Sequence, residues 1–207
     1  MQPSSSDKKH WYDGLFYDKL IAPNQDKLFK QIKDIIEPNC SVLDVGCGTG
    51  RLSFQLASHC KTVVGIDLSS KNISVANSNL EKSKYSNISF VHSNALELQE
   101  KTNMKFDYAI TTYVIHEIDI DDRLVLLNEM KQIANQIIIG DYLVPTPKTF
   151  MGKINTVVEY LAGKEHYNNF KTFVKKDGVN GLLKRANLEL IKEVRNMPPT
   201  SHLVVAK

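Results

Sequence analysis

Two aspartates and one histidine, each in or directly after an apolar run, are the residues of this sequence best suited to chemistry. Asp44 lies within the run 42–45, Asp67 ends the run 62–67, and His116 follows the run 106–113. A carboxylate can hold a cation or accept hydrogen bonds from hydroxyl groups. An imidazole titrates near neutral pH and can act as a general base, although His116 could equally cap or orient a following helix.

A glycine-rich turn joins the first apolar run to a helix. Gly46, Gly48 and Gly50 permit a tight turn and a close approach of backbone to ligand, and apolar residues at helical spacing follow them. Strand, glycine turn and helix in this order predict the first βα unit of a nucleotide-binding sheet. The dinucleotide fingerprint requires a third glycine where Arg51 stands, and the carboxylate of Asp44 would repel a pyrophosphate. A cationic ligand group suits Asp44 better, although its side chain could also bond the backbone of its own turn.

The nine residues 42–50 resemble the first motif of the class I S-adenosylmethionine-dependent methyltransferases, whose common form is hydrophobic-Leu-Asp-hydrophobic-Gly-Cys-Gly-Thr-Gly. The resemblance continues through ordered motifs to about Asp141. It implies a methyltransferase with S-adenosylmethionine as its cofactor. The implied cofactor site consists of Asp44, Gly46, Cys47, Gly48, Gly50, Asp67, Leu68, Asn94, Ala95 and Thr111.

Individual cofactor contacts follow from strand ends and from the resemblance. Asp67 ends a strand beside the glycine turn, so it can accept hydrogen bonds from both ribose hydroxyls, or it can cap the turn before Ser69. The resemblance places Leu68 against the adenine face and Thr111 near the methionine part. An acid usually stands where this chain has Asn94; its amide carbonyl can still accept from the adenine amine, although Asn in a turn needs no ligand.

Aromatic residues and histidines outside these motifs are candidates for the substrate side. Tyr12 and Tyr17 belong to an aromatic cluster that either covers the cofactor or only docks a helix. The resemblance places Tyr113 and His116 by the methyl group, and His166 and Tyr167 are further pocket candidates. His116 is the predicted base for a hydroxyl or an acidic carbon, whereas an amine or thiol needs none.

The chain of 207 residues predicts a single methyltransferase domain over 1–207, with 1–25 as an N-terminal lid segment and 142–177 as a substrate-covering helical insertion. Within that insertion, apolar residues at helical spacing predict a helix whose apolar face either covers the substrate pocket or, as is commoner for such a stripe, packs on the sheet. These residues are Phe150, Ile154, Val157, Val158 and Leu161.

Apolar runs alternating with helical patterns predict an α/β fold. The expected sheet is Rossmann-like, doubly wound and seven-stranded, mostly parallel with an antiparallel C-terminal strand. A terminal antiparallel pair, predicted from 188–194 and 202–206, is how class I methyltransferases finish and fits poorly with a dehydrogenase.

Charge and cysteine content argue against a nucleic-acid-binding protein, a disulfide-rich protein and a zinc site built from cysteines. The net charge of +3 comes from scattered lysines, so no nucleic-acid partner is expected. Three cysteines form neither a disulfide framework nor a zinc site and fit a reducing cytoplasm. No metal ligand set is evident, no run is long enough to span a membrane, and the oligomeric state is left open.

Four functions stay open, with a small-molecule methyltransferase that acts by in-line displacement favoured. A protein or RNA methyltransferase is second, but it needs a wide basic cleft, and 111–113 lacks the Asn/Asp-Pro-Pro-aromatic motif of DNA and protein amide methyltransferases. A non-catalytic S-adenosylmethionine-binding partner protein is third. A nicotinamide enzyme is last, because Asp44 and Arg51 argue against it.

Overall fold

The computed structural model describes residues 15–98, 104–161, 163–196 and 200–207, with the side chains of 15–24, 151 and 154 outside the description. Its helices are α1 (Leu15–Ile35), α2 (Arg51–Leu56), α3 (Ser70–Glu81), α4 (Asp122–Ile133), α5 (Phe150–Leu161), α6 (Lys164–Lys175) and α7 (Gly178–Arg185). Its strands are β1 (Ser41–Val45), β2 (Thr62–Asp67), β3 (Ile88–His92), β4 (Phe106–Thr112), β5 (Ala134–Tyr142), β6 (Leu190–Arg195) and β7 (Ser201–Ala206). A short 3-10 helix spans Ala95–Glu97.

The strands form one seven-stranded sheet in the order β3-β2-β1-β4-β5-β7-β6. β1 pairs in parallel with β2 and β4, and β4 pairs in parallel with β5. β7 runs antiparallel to both of its neighbours, β5 and β6. The predicted Rossmann-like fold is therefore confirmed. Its strand order reverses between β1 and β4, where ligands bind in open α/β sheets.

Helices cover both faces of the sheet, which explains why the central strands are apolar on both sides. On one face, Leu28 and Ile32 of α1 and Leu52 and Leu56 of α2 are fully buried with Val42. The other face buries a second core cluster that includes residues of α4, α6 and α7. All of β7 is buried, whereas β6 at the sheet edge is partly exposed.

The apolar face of α5 does not pack on the sheet, so that part of the sequence prediction was wrong. Phe150, Val157 and Leu161 are 78%, 55% and 65% exposed, whereas Glu159 on the same helix is 3% exposed. The physical reason is that the acid bonds to groups at the carboxyl end of β5, and this turns the apolar residues outward.

No helix within the described ranges is long and apolar enough to cross a membrane.

Candidate active site

The glycine turn after β1 adopts backbone angles that only glycine reaches easily. Gly46, Gly48 and Gly50 have φ of 73°, 55° and 85°. A Cβ on Gly46 would lie 2.4 Å from Val114 Cγ2, and one on Gly50 would lie 2.5 Å from Phe90 Cζ. A Cβ on Gly48 would meet nothing within 4 Å. The turn is thus closely packed at both ends and open at its middle, where a ligand could approach the backbone.

Asp44 is buried at the end of β1 and binds a side chain of the following helix. Its Oδ2 accepts a 2.6 Å hydrogen bond from Ser53 Oγ, and the residue is 1% exposed. This differs from the predicted alternative of a bond to the backbone of its own turn. Burial raises the pKa of the Asp44 carboxyl to about 7, against the smaller opposing effect of the Ser53 bond. The carboxyl therefore changes charge near neutral pH, and a cation placed beside it would favour ionisation.

Asp67 ties the end of β2 to the glycine turn. Its Oδ2 accepts a hydrogen bond from Gly48 N at 2.8 Å, and its Oδ1 accepts one from Ser69 N at 2.8 Å and one from Asn72 Nδ2 at 3.3 Å. The predicted alternative of a turn-capping acid is thus realised. Because a carboxylate offers about four acceptor positions, one remains for a ribose hydroxyl.

The other predicted cofactor residues lie at the same edge of the sheet. Leu68, directly after β2, is 61% exposed. Asn94 caps the 3-10 helix that begins at Ala95, because its Oδ1 accepts from Leu96 N at 3.1 Å. Thr111, near the end of β4, is 1% exposed, and its Oγ1 has no hydrogen-bond partner among the described residues. Such an orphaned hydroxyl is unusual and marks a position where a ligand could supply the partner.

Cys47 is buried in the glycine turn and is unsuited to nucleophilic chemistry. Burial, together with the nearby carboxylates of Asp44 and Asp67, raises the pKa of its thiol far above the ordinary value. Because the thiolate is the reactive form, this sulfur acts as a small apolar group.

The segment after β4 carries His116 into a buried polar group that we call the His116 cluster. Its members are His116, Glu117, Asp141, Tyr142, Glu159 and His166. His116 is 2% exposed, and its Nδ1 lies 2.7 Å from Asp141 Oδ1, while its backbone N–H donates to Asp141 Oδ2 at 3.3 Å. Asp141 therefore fixes both the ring orientation and the backbone of His116.

Two helices of the 142–177 segment complete the cluster. Glu159 of α5 places Oε1 3.6 Å from His116 Nε2 and accepts a 2.8 Å bond from Tyr142 Oη. His166 of α6 places Nε2 3.1 Å from Glu117 Oε1 and 3.3 Å from Glu159 Oε2. Aromatic rings of Tyr142, Phe170 and Phe173 surround the His116 ring at 4.7 to 6.3 Å between centroids.

The carboxylates of the cluster favour protonated imidazoles. Burial alone would lower the pKa of His116, but Asp141 and Glu159 outweigh burial and raise it well above its ordinary value. Burial would also lower the pKa of His166, but Glu117 and Glu159 outweigh it and raise the pKa of His166 to about 9. The pKa of Glu159 is lowered, because His116, His166 and Tyr142 outweigh its burial. This arrangement favours the protonated form of the His116 imidazole, which opposes its predicted role as a general base.

The remaining substrate candidates are only partly brought to the cluster. Tyr113 has φ of 55°, its ring lies 5.7 Å from that of Tyr142, and its hydroxyl is 3.1 Å from Ser201 Oγ. Tyr167 instead contacts the ring of Tyr160 on α5 and Lys171 Nζ on its own helix. Tyr12 lies outside the described residues, and Tyr17 lies in α1 with its side chain outside the description.

Sequence reasoning missed Asp141, Tyr142, Glu117 and Glu159. The first two could have been found, because β5 ends at Tyr142 and parallel strands bring their carboxyl ends to one edge. Sequence analysis also found no metal ligand set, whereas the structure places potential ligand atoms of His116, Glu159 and His166 within 4.8 Å of one another. These residues come from three separate elements, and no spacing rule links them.

Comparison with known proteins assigns the fold and the motifs to one family. Residues 36–179, more than half of the chain, match the family described as "Methyltransferase domain". The release factor glutamine methyltransferase of Fusobacterium nucleatum is 25% identical over 88% of this chain, which spans only 50% of that protein. The ubiquinone biosynthesis O-methyltransferase of Pelagibacter ubique is 29% identical over 84% of this chain and 72% of that protein.

A solved structure shows the same fold. Magnesium protoporphyrin IX methyltransferase from Synechocystis PCC 6803, crystallised with bound SAH, superimposes with a TM-score of 0.67 at 18% identity over 93% of this chain and 87% of that chain.

Proposed function

The chain belongs to the methyltransferase domain family, and on that premise we propose that it is an S-adenosylmethionine-dependent methyltransferase whose methyl acceptor is a small molecule. The main support for this proposal is that the residues expected to face the methyl acceptor are enclosed by protein. His116 is 2% exposed beneath α5 and α6, among aromatic rings. An enclosed polar group with apolar walls suits a small ligand better than a macromolecule.

The residues of the glycine turn fit the cofactor. In our proposal, the open middle of the turn at Gly48 receives the nucleoside and the unfilled acceptor position of Asp67 receives a ribose hydroxyl. The methionine part lies by Thr111 Oγ1, which has no other partner in the described structure. The cationic groups of the cofactor lie on the side of Asp44, whose ionisation they favour.

The proposed mechanism is in-line displacement. A sulfonium methyl group is already activated, so the protein has to hold the acceptor atom close to it and exclude water. The surrounding rings of Tyr142, Phe170 and Phe173 provide such an apolar wall. Charge disappears when an anionic acceptor attacks a sulfonium, and apolar surroundings do not oppose that change. His116 stands on the acceptor side, where the proton of a hydroxyl would have to leave.

Two relatives support a small acceptor by their names: ubiquinone biosynthesis O-methyltransferase and magnesium protoporphyrin IX methyltransferase. A protein acceptor is the second candidate, because the name release factor glutamine methyltransferase states one. Against it, this chain has Thr111-Thr112-Tyr113 without the two prolines of the protein amide motif. Against a nicotinamide enzyme, Arg51 stands at the third glycine position and its guanidinium is bound to Asp26 at 2.8 Å.

We also propose the cytoplasm as the location of this domain. Cys40, Cys47 and Cys60 are all free thiols. Cys40 and Cys60 share a hydrogen bond between their sulfurs at 3.5 Å and form no disulfide, which fits a reducing compartment.

The size class of the acceptor can be tested by following a labelled methyl group. The chain is incubated with methyl-labelled S-adenosylmethionine and an extract of the cells that make it, and the products are separated by ultrafiltration. Chromatography then separates the filtrate from unreacted S-adenosylmethionine. Label in a new small molecule supports a small acceptor, and the Asp67→Ala variant should transfer little. Label retained with protein or with RNA would overturn the proposal.

A further inference from the structure

We propose that the His116 cluster is a binding site for a divalent transition-metal ion, Zn²⁺ or one of similar preference, held by His116 Nε2, Glu159 and His166 Nε2. The distances from Glu159 to the two imidazole nitrogens suit one ion, and the three ligand atoms all lie within 4.8 Å of one another. Two ligand atoms bound at about 2.1 Å to a tetrahedral zinc ion are roughly 3.4 Å apart. Glu159 lies 3.6 Å from His116 Nε2 through Oε1 and 3.3 Å from His166 Nε2 through Oε2.

The surroundings of the three groups already orient them as ligands. Asp141 binds His116 Nδ1 at 2.7 Å, which leaves Nε2 for an ion, as in carboxylate–histidine–zinc arrangements. Tyr142 Oη holds Glu159 Oε1 at 2.8 Å. Glu159 Oε2 is buried and lies 3.3 Å from His166 Nε2. A metal ion bound between these two atoms would replace their ion pair with two coordinate bonds.

The charge of the cluster suits an ion as well. Glu117, Asp141 and Glu159 place three carboxylates around two imidazoles in a buried region. A dication placed among these groups would be attracted by the carboxylates and would bind the imidazole nitrogens.

The ligand set favours a transition metal over Mg²⁺ or Ca²⁺. Two imidazoles and one carboxylate are typical of Zn²⁺ and of non-haem Fe²⁺, whereas Mg²⁺ and Ca²⁺ prefer oxygen ligands throughout. Three protein ligands leave a tetrahedral ion one open position, as in catalytic zinc sites. Glu117, whose Oε1 is 3.1 Å from His166 Nε2 and 3.7 Å from His116 Nε2, is a further group that could approach this position.

Resting on the proposed function, the ion would select acceptors that carry a hydroxyl group. The cluster adjoins the cofactor turn, since Val114, two residues before His116, lies against Gly46. A hydroxyl bound at the open position loses its proton more readily, and Glu117, whose side chain is 25% exposed, can accept that proton. The hydroxyl oxygen then forms the bond to the methyl group as the bond between methyl and sulfur breaks, which leaves S-adenosylhomocysteine and a methyl ether or ester.

Zinc binding can be measured without knowing the acceptor. The full chain is treated with a chelator, freed of it and titrated with ZnCl₂ by calorimetry. We expect one equivalent to bind, and the Glu159→Gln and His166→Gln variants to bind at least about tenfold more weakly, since each lacks one ligand. The control is His59→Gln, which changes a histidine whose Nε2 contacts Ile36 O outside the cluster.

The outcomes separate a metal site from an ion-pair network. Failure of the chelator-treated chain to bind one equivalent of zinc would overturn the proposal, as would binding that both variants retain. Circular dichroism checks the fold of each variant; if Glu159→Gln does not fold, His166→Gln, whose side chain is 12% exposed, supplies the test. A parallel titration with S-adenosylmethionine keeps the two proposals distinct, because loss of cofactor binding would contradict the methyltransferase function without affecting the zinc result.

Discussion

Asp44 lies in an environment that is unusual for a carboxyl group. It is a carboxyl group at 1% exposure with one hydroxyl partner, and burial raises its pKa to about 7. Sequence reasoning selected Asp44 for its charge. In the structure, burial raises the pKa of this carboxyl, so a bound cation can favour its ionised form.

Protonation of Asp44 should therefore be linked to cofactor binding. A cation beside the carboxyl lowers its pKa, so binding of S-adenosylmethionine near pH 6 should release a fraction of a proton. Calorimetry in two buffers of different ionisation enthalpy measures that release. The Asp44→Asn variant should lack the proton release that comes from Asp44. Equal proton release by both proteins would show that the cofactor cation does not lie near Asp44.

The same group should make stability depend on pH. The folded-state pKa of about 7 lies above the ordinary value of 3.8, so the folded chain binds more protons between these values. Its contribution is fully present below about pH 4 and is lost as pH rises to about 7. At about 1.4 kcal/mol per pKa unit the loss is a few kcal/mol at most. Urea unfolding of Asp44→Asn should show a smaller decline over this range, and parallel curves for the two proteins would contradict the assignment.

Gly48 and Gly50 differ in what surrounds them, so a substitution at Gly50 should affect folding and one at Gly48 should affect cofactor binding. Gly50→Ala places a Cβ 2.5 Å from Phe90 at positive φ, so the free energy of unfolding should fall by about 3 kcal/mol. Gly48→Ala meets nothing within 4 Å, so it should cost only about 1 kcal/mol of backbone strain. Its Cβ should instead reduce S-adenosylmethionine affinity. Full affinity in Gly48→Ala would show that the cofactor does not approach this position.

At the level of elements, Arg123 of α4 joins the segment after β4 to α6. It is 1% exposed, and its guanidinium donates to Ile115 O and Ile118 O at 3.1 and 3.0 Å and to Asn169 O at 2.7 Å. This one side chain connects the segment that carries His116 to the helix that carries His166.

Arg123→Met should therefore be strongly destabilising. The change leaves several buried carbonyl oxygens without a donor, at about 1 to 3 kcal/mol each, so we expect the free energy of unfolding to fall by about 3 kcal/mol or more in urea. Arg185→Met is the matched control, because Arg185 is exposed and donates to one carbonyl, Lys176 O. Similar losses in the two variants would contradict the role given to Arg123.

The helices and strands also show where local sequence patterns are enough to predict the structure. The runs 42–45 and 106–112 are apolar because both sheet faces are covered, and the strand predictions there are confirmed. The face of α5 was predicted wrongly, because hydrophobic periodicity locates an apolar stripe without showing what competes for the interior. Here Glu159 takes the buried position through its bonds to Tyr142 and the histidines.

For the whole molecule, the first motif and the alternation of strands and helices predicted the sheet and the edge at which the cofactor residues meet. The His116 cluster could not be predicted in the same way. His116, Glu159 and His166 come from a loop and two helices, and their meeting depends on how α5 and α6 dock over β5. That docking is set by tertiary contacts such as those of Arg123, which leave no local signal in the sequence.

The most direct test of the central claim is a calorimetric titration of the full chain with S-adenosylmethionine and, in parallel, with NAD. We expect S-adenosylmethionine alone to bind, at one site. Asp67→Ala should bind it at least about tenfold more weakly, because a hydrogen bond to a charged group is worth about 1.5 to 3 kcal/mol. Asp34→Ala, which removes an exposed acid from α1, should bind as the unmodified chain does. Binding of NAD but not S-adenosylmethionine, or unchanged S-adenosylmethionine affinity in Asp67→Ala, would contradict the account.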